Sequence, residues 1–281
     1  MKEKIAWVTD TSAMLDEEFI VKNNIYVVPI VVILDEGPLR ESVDISLEEF
    51  YMKLRTSKNP TTSQPVIGES VDLYKRLKSE GYTCAIAVHP SKKLSNTLES
   101  AYTAAKLADF KVYPIDSKNI SYPMKKLIEY GKQLEAEGTL VETIVQKMES
   151  MADQFVLTGI PYNLTQLQKS GRVPGIAAFL GNLLQLKLIL SFEGGLVLLK
   201  NKVRTMKKAK NYLIDFLNTD LNRFLIDEVA IVHCNNEEEA EIWKGELRHL
   251  YPSIKFLIYP FSSAIAVHAG EGTIGLSWLR K

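Results

Sequence analysis

The chain has 281 residues, enough for two domains of ordinary size, and 46% of them are hydrophobic. Its 34 lysines and arginines balance 34 aspartates and glutamates, so no basic excess draws it to nucleic acid or to an anionic membrane surface. The two cysteines, Cys84 and Cys234, lie in separate apolar runs and make neither a disulfide framework nor a zinc site by themselves.

Met1 to Lys4 leads directly into an apolar strand at 4–10 with no export-type apolar region, so a cytoplasmic protein is expected. Further strands are expected near 25–34, 83–89 and 111–115. Helices are expected near 16–22, 46–56, 66–80, 96–109, 121–137 and 140–152. This alternation is that of a parallel α/β sheet covered on both faces. Ser46 with Glu49, Asn96 with Glu99 and Thr139 with Glu142 each fit a capping box. Near residue 155 the character changes. A strand at 155–160 precedes two short helices and a hairpin, 187–192 with 196–200, around Gly194-Gly195. A helix at 204–217, a strand at 228–234, a helix at 236–250 opened by Asn235 and Asn236, and strands at 254–260 and 264–268 follow. The expectation is an α/β protein of two domains, a parallel-sheet α/β/α domain over 1–154 and a mixed-sheet domain with helices over 155–281. The longest apolar tract, 173–192, is interrupted by Pro174, Gly181, Asn182, Gln185 and Lys187, too often for the roughly 20 apolar residues of a membrane span.

Several familiar chemistries fail on spacing. Gly270-Glu271-Gly272-Thr273-Ile274-Gly275 matches a dinucleotide-binding pattern, but six residues remain after it and no βαβ unit fits. Its simpler reading is a glycine turn into a final strand. No P-loop and no serine-hydrolase elbow occur, and His89, His233, His249 and His268 lack metal-ligand spacing, so no metal or cofactor is expected.

What remains is a set of polar junctions. Leu94-Ser95-Asn96-Thr97 opens a helix after the uniformly apolar run Cys84 to Val88, at the end of a strand where open α/β sheets bind ligands. A helix cap and an anion site both fit it. Thr61-Thr62-Ser63-Gln64-Pro65 is either a polar loop with a helix start or a pair of threonines facing a crevice. Asp10-Thr11-Ser12 and Asp116-Ser117 close apolar strands. Lys169-Ser170-Gly171-Arg172 combines a left-handed glycine cap with an arginine that is either a surface cation or an anion clamp. Arg204 starts the helix after the hairpin, and His268 ends an apolar strand.

In this order these segments resemble the DegV family of bacterial fatty-acid-binding proteins. The resemblance rests on Val8-Thr9-Asp10-Thr11-Ser12, Thr62-Ser63-Gln64-Pro65, Leu94-Ser95-Asn96-Thr97 with Ser100-Ala101, Ile115-Asp116-Ser117, Lys169-Ser170-Gly171-Arg172-Val173 and His268-Ala269-Gly270-Glu271-Gly272-Thr273-Ile274-Gly275. It implies a single long-chain fatty acid held between two domains, with its carboxylate at Thr62, Ser95, Asn96 and His268. Ser63, Arg172 and Arg204 would be supporting or partner-facing. It also implies a role as the acyl-carrying subunit of a fatty acid kinase. A separate ATP-dependent kinase would phosphorylate the bound carboxylate to an acyl phosphate for phospholipid synthesis, with a downstream acyltransferase as a further partner. Such a subunit is a carrier rather than an enzyme, and a monomer is expected. The chain departs from the family's usual pattern at Asn96 and Glu271, where glycine and proline are common, and at Thr11, where serine is.

The physical chemistry suits such a ligand. Hydroxyl donors and a helix N-terminus replace the hydration of a carboxylate. A tail of about 16 carbons offers on the order of 10 kcal/mol of gross burial energy. Ile176, Phe179, Leu180, Leu183, Leu184 and Leu186 are candidates for a tail lining, and equally for plain core. Two other functions stand beside this one. The first is a serine esterase or acyltransferase using Ser95 as nucleophile and His268 as base. The second is a lipid binder or transporter with no kinase.

Overall fold

The computed structural model describes residues 3–174 and 186–281, and the chain divides into two units, Met1–Asp153 and Gln154–Lys281. In the first, β1 (Ile5–Asp10) runs through a 3-10 turn (Thr11–Ala13) into α1 (Glu17–Asn23), β2 (Ile25–Val28), β3 (Val31–Leu34) and β4 (Gly37–Arg40). Then come α2 (Leu47–Leu54), β5 (Thr61–Ser63), α3 (Ile67–Ser79), β6 (Cys84–His89), α4 (Thr97–Leu107), β7 (Val112–Asp116), α5 (Tyr122–Ala136) and α6 (Val141–Ala152). Strands β2-β1-β6-β7 form a parallel sheet in that order. Its central strands, β1 and β6, are buried along their whole length, which is why they read as unbroken apolar runs. Pro114 lies on β7, an edge strand, where its missing N–H breaks no interior ladder.

Alternate residues of β1 serve opposite faces. Ala6 and Val8 pack with Tyr74 and Leu77 of α3 and with Ala104 and Ala105 of α4. On the other face Trp7 meets α5, where its indole donates to Glu135 Oε2 at 2.9 Å. A Cβ at Gly131 would lie 2.2 Å from the Trp7 ring, so only glycine lets α5 approach this closely. A second, antiparallel ribbon, β4-β3-β5, completes the unit.

The second unit holds β8 (Phe155–Ile160), α7 (Leu164–Ser170), β9 (Lys187–Glu193), β10 (Leu196–Val203) and α8 (Met206–Leu221). These are followed by β11 (Glu228–His233), α9 (Glu237–Leu250), β12 (Lys255–Pro260), α10 (Ser263–Ala269) and β13 (Ile274–Leu279). Its mixed sheet has the order β10-β9-β8-β13-β11-β12, with only the β11–β12 pair parallel. Val156, Ile231, Leu276 and Trp278 form its core with Leu213 and Leu217 of α8 and Trp243 and Leu247 of α9. Gly194 and Gly195, both with positive φ, close the β9–β10 hairpin as expected.

The sequence expectations need correction at several junctions. Residues 264–268 are helical, within α10, rather than a strand: Ser262 precedes them in extended conformation and its carbonyl receives the Ile265 and Ala266 amides. Thr61–Ser63 is a short strand rather than a loop, and α3 begins at Ile67 beyond Pro65. The capping box at Ser46 and Glu49 forms, whereas Thr139 does not cap α6, whose N-cap is Leu140. Thr205, not Arg204, caps α8, its hydroxyl accepting from Lys208 N at 3.3 Å. Of the two short helices expected after β8, α7 is present and the other lies outside the described residues.

Gly159 and Gly275 face each other across β8 and β13, where a Cβ on Gly275 would lie 2.1 Å from the Thr158 carbonyl oxygen and 2.8 Å from Gly159 Cα. Gly275→Ala is expected to destabilise the C-terminal unit by about 3 kcal/mol or more, measured by urea denaturation. Gly245 in α9 meets nothing within 4 Å, so Gly245→Ala is expected to stabilise by about 0.5 to 1 kcal/mol in the same measurement.

Candidate functional site

The carboxyl ends of β1 and β6 and the turn after β7 carry several of the first unit's buried polar groups, among them Asp10, Ser12, His89, Ser91, Ser117 and Asn119. Asp10 closes β1 and His89 closes β6, and both side chains are 0% exposed. Asp10 Oδ2 lies 2.6 Å from His89 Nδ1, while Oδ1 accepts the Ser12 amide at 2.9 Å and the Ser12 hydroxyl. Three partners thus replace the water lost by a buried carboxyl. His89 Nε2 is buried with no hydrogen-bond partner among the described residues. Beside it the Ser117 amide donates to His89 O at 3.2 Å, the Ser117 hydroxyl to Asn119 O at 2.8 Å and the Ser91 amide to Asn119 O at 2.9 Å. Asp116 accepts the Lys118 amide at 2.9 Å and, from the segment after β6, the Lys92 amide at 3.4 Å.

Ser95 lies beyond β6, its amide bonded to Ser91 O at 3.0 Å. Its half-buried hydroxyl lies 2.7 Å from Thr97 Oγ1 and accepts the Thr97 amide at 3.3 Å. Serine, not asparagine, therefore satisfies the first turn of α4. Asn96 is exposed and makes no side-chain cap, so the capping box expected of Asn96 and Glu99 does not form. Thr97 is buried and shares the cluster, a residue whose part the sequence reading did not single out.

Thr62 and Ser63 lie on β5, opposite Val32 and Val31 of β3. The chain enters β3 through Ile30, whose amide donates to Thr11 Oγ1 at 3.1 Å and whose carbonyl accepts the Glu41 amide at 2.9 Å. The Thr11 hydroxyl in turn donates to the buried Glu41 carboxylate. The ribbon carrying Thr62 is thereby tied to the turn that follows β1. Ser95 thus follows the carboxyl end of β6, and the ribbon bearing Thr62 is bonded at Ile30 to the turn after β1.

His268 and Arg172 belong to the second unit. α7 ends at Gly171, whose φ of 67° is the left-handed cap expected, and Arg172 follows with its guanidinium on the Ser170 carbonyl. His268 lies in the last turn of α10. Burial lowers its pKa to about 4 and the Arg172 charge adds to the shift. The turn after α10 is steric in origin: a Cβ at Gly270 would lie 2.5 Å from Asn163 Cβ, and one at Gly272 would lie 2.8 Å from the Tyr162 ring. Thr273 ties the turn, donating to Ala269 O at 2.9 Å and accepting the Tyr162 amide at 3.1 Å. Glu271 accepts from Asn235 Nδ2 at 2.6 Å. Arg204 is exposed between β10 and α8, and Leu186 is half-buried just before β9. Ile176, Phe179, Leu180, Leu183 and Leu184 lie outside the described residues.

Among the described residues no group of three or more His, Cys, Asp or Glu could hold a metal ion, and no helix is long and apolar enough to cross a membrane. The Asp10–His89 pair is the feature that the sequence reading missed. The signal for it was the position of each residue as the last of an apolar strand.

A parallel α/β/α unit joined to a mixed-sheet unit, with polar side chains gathered where strands end and helices begin, defines a class of two-unit α/β protein. The family profile described as "Uncharacterised protein, DegV family" matches residues 4–281, and the chain belongs to the DegV family. A DegV domain-containing protein of Listeria innocua is 32% identical over 280 residues, 99% of each chain. The crystal structure of DegV from Bacillus subtilis, a fatty acid binding protein, is 33% identical with a TM-score of 0.89 over 99% of this chain and 100% of that one. A fatty acid binding DegV family protein from Streptococcus agalactiae is 29% identical with a TM-score of 0.90 over 99% of each chain.

Two measurements follow from the geometry. Asp10→Ala leaves His89 buried without its carboxyl partner and is expected to cost about 3 kcal/mol in urea denaturation, with Asp10→Asn costing less. For His268, the unfolded chain takes up a proton near pH 6.5 that the folded chain refuses until about pH 4. Stability therefore falls as pH drops through that window, by up to about 1.4 kcal/mol per pH unit for one proton. His233, also lowered by burial, acts in the same direction. Denaturation at pH 7 and pH 5 is expected to show a smaller loss for His268→Gln than for the unaltered chain.

Proposed function

We propose that this chain binds one long-chain fatty acid and presents its carboxylate to a separate ATP-dependent kinase. The kinase transfers the γ-phosphoryl of ATP to a carboxylate oxygen, giving ADP and an acyl phosphate for phospholipid synthesis. The observation that carries this reading is the Ser95–Thr97 hydroxyl pair at the β6–α4 junction, in a chain whose relatives from B. subtilis and S. agalactiae are fatty acid binding proteins.

The residues divide the work by chemistry. Thr62 and Ser95 donate hydroxyl hydrogens to the carboxylate, and the exposed Asn96 adds an amide donor. His268, neutral near pH 7 because burial holds its pKa near 4, supplies a hydrogen bond without becoming a fixed ion. A neutral donor lets the carboxylate remain a usable nucleophile. Arg172 contributes positive potential, Ser63 supports the β5 segment, and the exposed Arg204 is a cation available to an acidic partner surface. Burial of the tail supplies most of the affinity, at about 0.8 kcal/mol per CH₂, while the head-group donors fix orientation. Ile176, Phe179, Leu180, Leu183, Leu184 and Leu186 are the candidates to line it. Within its own unit the Ser95 hydroxyl engages Thr97 rather than an imidazole, an arrangement that suits a binding donor.

Mass spectrometry of lipid extracted from the purified protein is expected to return one fatty acid per chain. Ser95→Ala and Thr62→Ala are each expected to weaken retention about tenfold, the size of one lost hydrogen bond to a charged group, with the unfolding midpoint nearly unchanged in Thr62→Ala and lowered by the loss of about 1 kcal/mol of helix capping in Ser95→Ala. Equal retention by both variants excludes the head-group assignment. Incubation with a fatty acid kinase and ATP is expected to yield acyl phosphate only when the loaded protein is present.

A further inference from the structure

Glu41 is 4% exposed, although it is a carboxylate in a short ribbon of three small strands. Its oxygen accepts the Thr11 hydroxyl hydrogen, and its own amide donates to Ile30 O at 2.9 Å. Thr11 Oγ1 accepts the Ile30 amide at 3.1 Å. Both backbone groups of Ile30 are therefore held, one by each member of the Thr11–Glu41 pair. Ile30 is the residue from which β3 departs, and two residues on Val32 faces Thr62. An apolar pair filling the same space would stabilise the fold as well as a buried carboxylate does, since burial of the charge is itself costly. What the polar pair adds is direction: the Glu41 carboxylate orients the Thr11 hydroxyl that accepts the Ile30 amide, while the Glu41 backbone amide holds Ile30 O whatever side chain stands at 41.

We infer that Thr11 and Glu41 are positioning residues for Thr62, clamping Ile30 so that the Thr62 hydroxyl is held at the fatty-acid head group. The inference rests on the proposed role of Thr62 in fatty acid binding. Neither residue touches the ligand. They act through the backbone of β3 and its register with β5.

The test is the affinity of the purified, delipidated full chain for palmitate, measured by equilibrium dialysis together with the thermal unfolding midpoint. Thr11→Val removes the hydroxyl and is expected to weaken palmitate binding about tenfold, while Thr11→Ser, which keeps it, restores binding to within about twofold. Glu41→Gln keeps an acceptor oxygen and is expected to bind near the unaltered level, with Glu41→Leu binding as weakly as Thr11→Val. In a Thr62→Ala background, Thr11→Val is expected to produce no further loss, because its effect passes through Thr62. An effect of Thr11→Val that persists undiminished in that background, or that Thr11→Ser does not rescue, overturns the inference in favour of a general structural role. Palmitate affinity unchanged in Thr11→Val, with Thr62→Ala weakened, overturns it while leaving the fatty-acid reading intact. Absence of palmitate binding by the unaltered chain overturns both. If Thr11→Val does not fold, Glu41→Gln against Glu41→Leu makes the same comparison, and equal binding by those two overturns the inference.

Discussion

A carboxyl group sealed at the end of a parallel sheet sets the terms for everything built around it. The Asp10 side chain is fully buried at the end of an apolar strand, so its two oxygens must be satisfied by neighbours. One oxygen folds the chain back on itself through Ser12, making the 3-10 turn, and the other holds His89 at the end of the adjacent strand. The consequences spread outward along the backbone. Thr11, fixed beside Asp10, reaches the ribbon that bears Thr62. His89 leads through Ser91 to Ser95. The two hydroxyls assigned to the ligand are thus linked to one buried hydrogen-bonded pair, Ser95 along the chain from His89 and Thr62 through the Thr11–Ile30 hydrogen bond and the β3–β5 pairing.

The second unit arranges its polar groups by a different physical means. Its glycine turn after α10 exists because no Cβ fits against Asn163 and Tyr162, and the Gly159–Gly275 contact exists because none fits between β8 and β13. Sterics, rather than buried charge, place His268 and the loop that follows it. The imidazole then acquires its character chiefly from burial, with Arg172 adding a smaller push in the same direction. Hydrogen bonds thus anchor the polar cluster of the first unit, and close backbone contact anchors that of the second.

The alternation of elements, and the burial of β1 and β6, were legible because apolar runs and helical periods are local signals. So were the Ser46 capping box, the Gly194-Gly195 hairpin and the left-handed Gly171. The errors fell where a local pattern had more than one outcome. Ala264 to Val267 is apolar enough for a strand, yet the chain makes a helix there because the Ser262 carbonyl receives two helical amides. Asn96 and Glu99 have capping-box spacing, yet Asn96 makes no side-chain cap and the side-chain bond at this helix start runs from the Thr97 amide to Ser95. Thr61 to Ser63 is polar, yet pairing with Val31 to Ile33 makes it a strand. The Asp10–His89 pair, 79 residues apart in the chain, depends on which strands become neighbours, and no window of sequence contains that information.

The ribbon's outermost strand has one more consequence. β5 spans three residues at the edge of its sheet, the kind of position where a longer strand presents a template for another chain to pair with. With so few backbone groups on offer and Pro65 close behind, it makes a poor template. The hydroxyls of Thr61, Thr62 and Ser63 thus lie on a sheet margin that offers little to a strand from another chain.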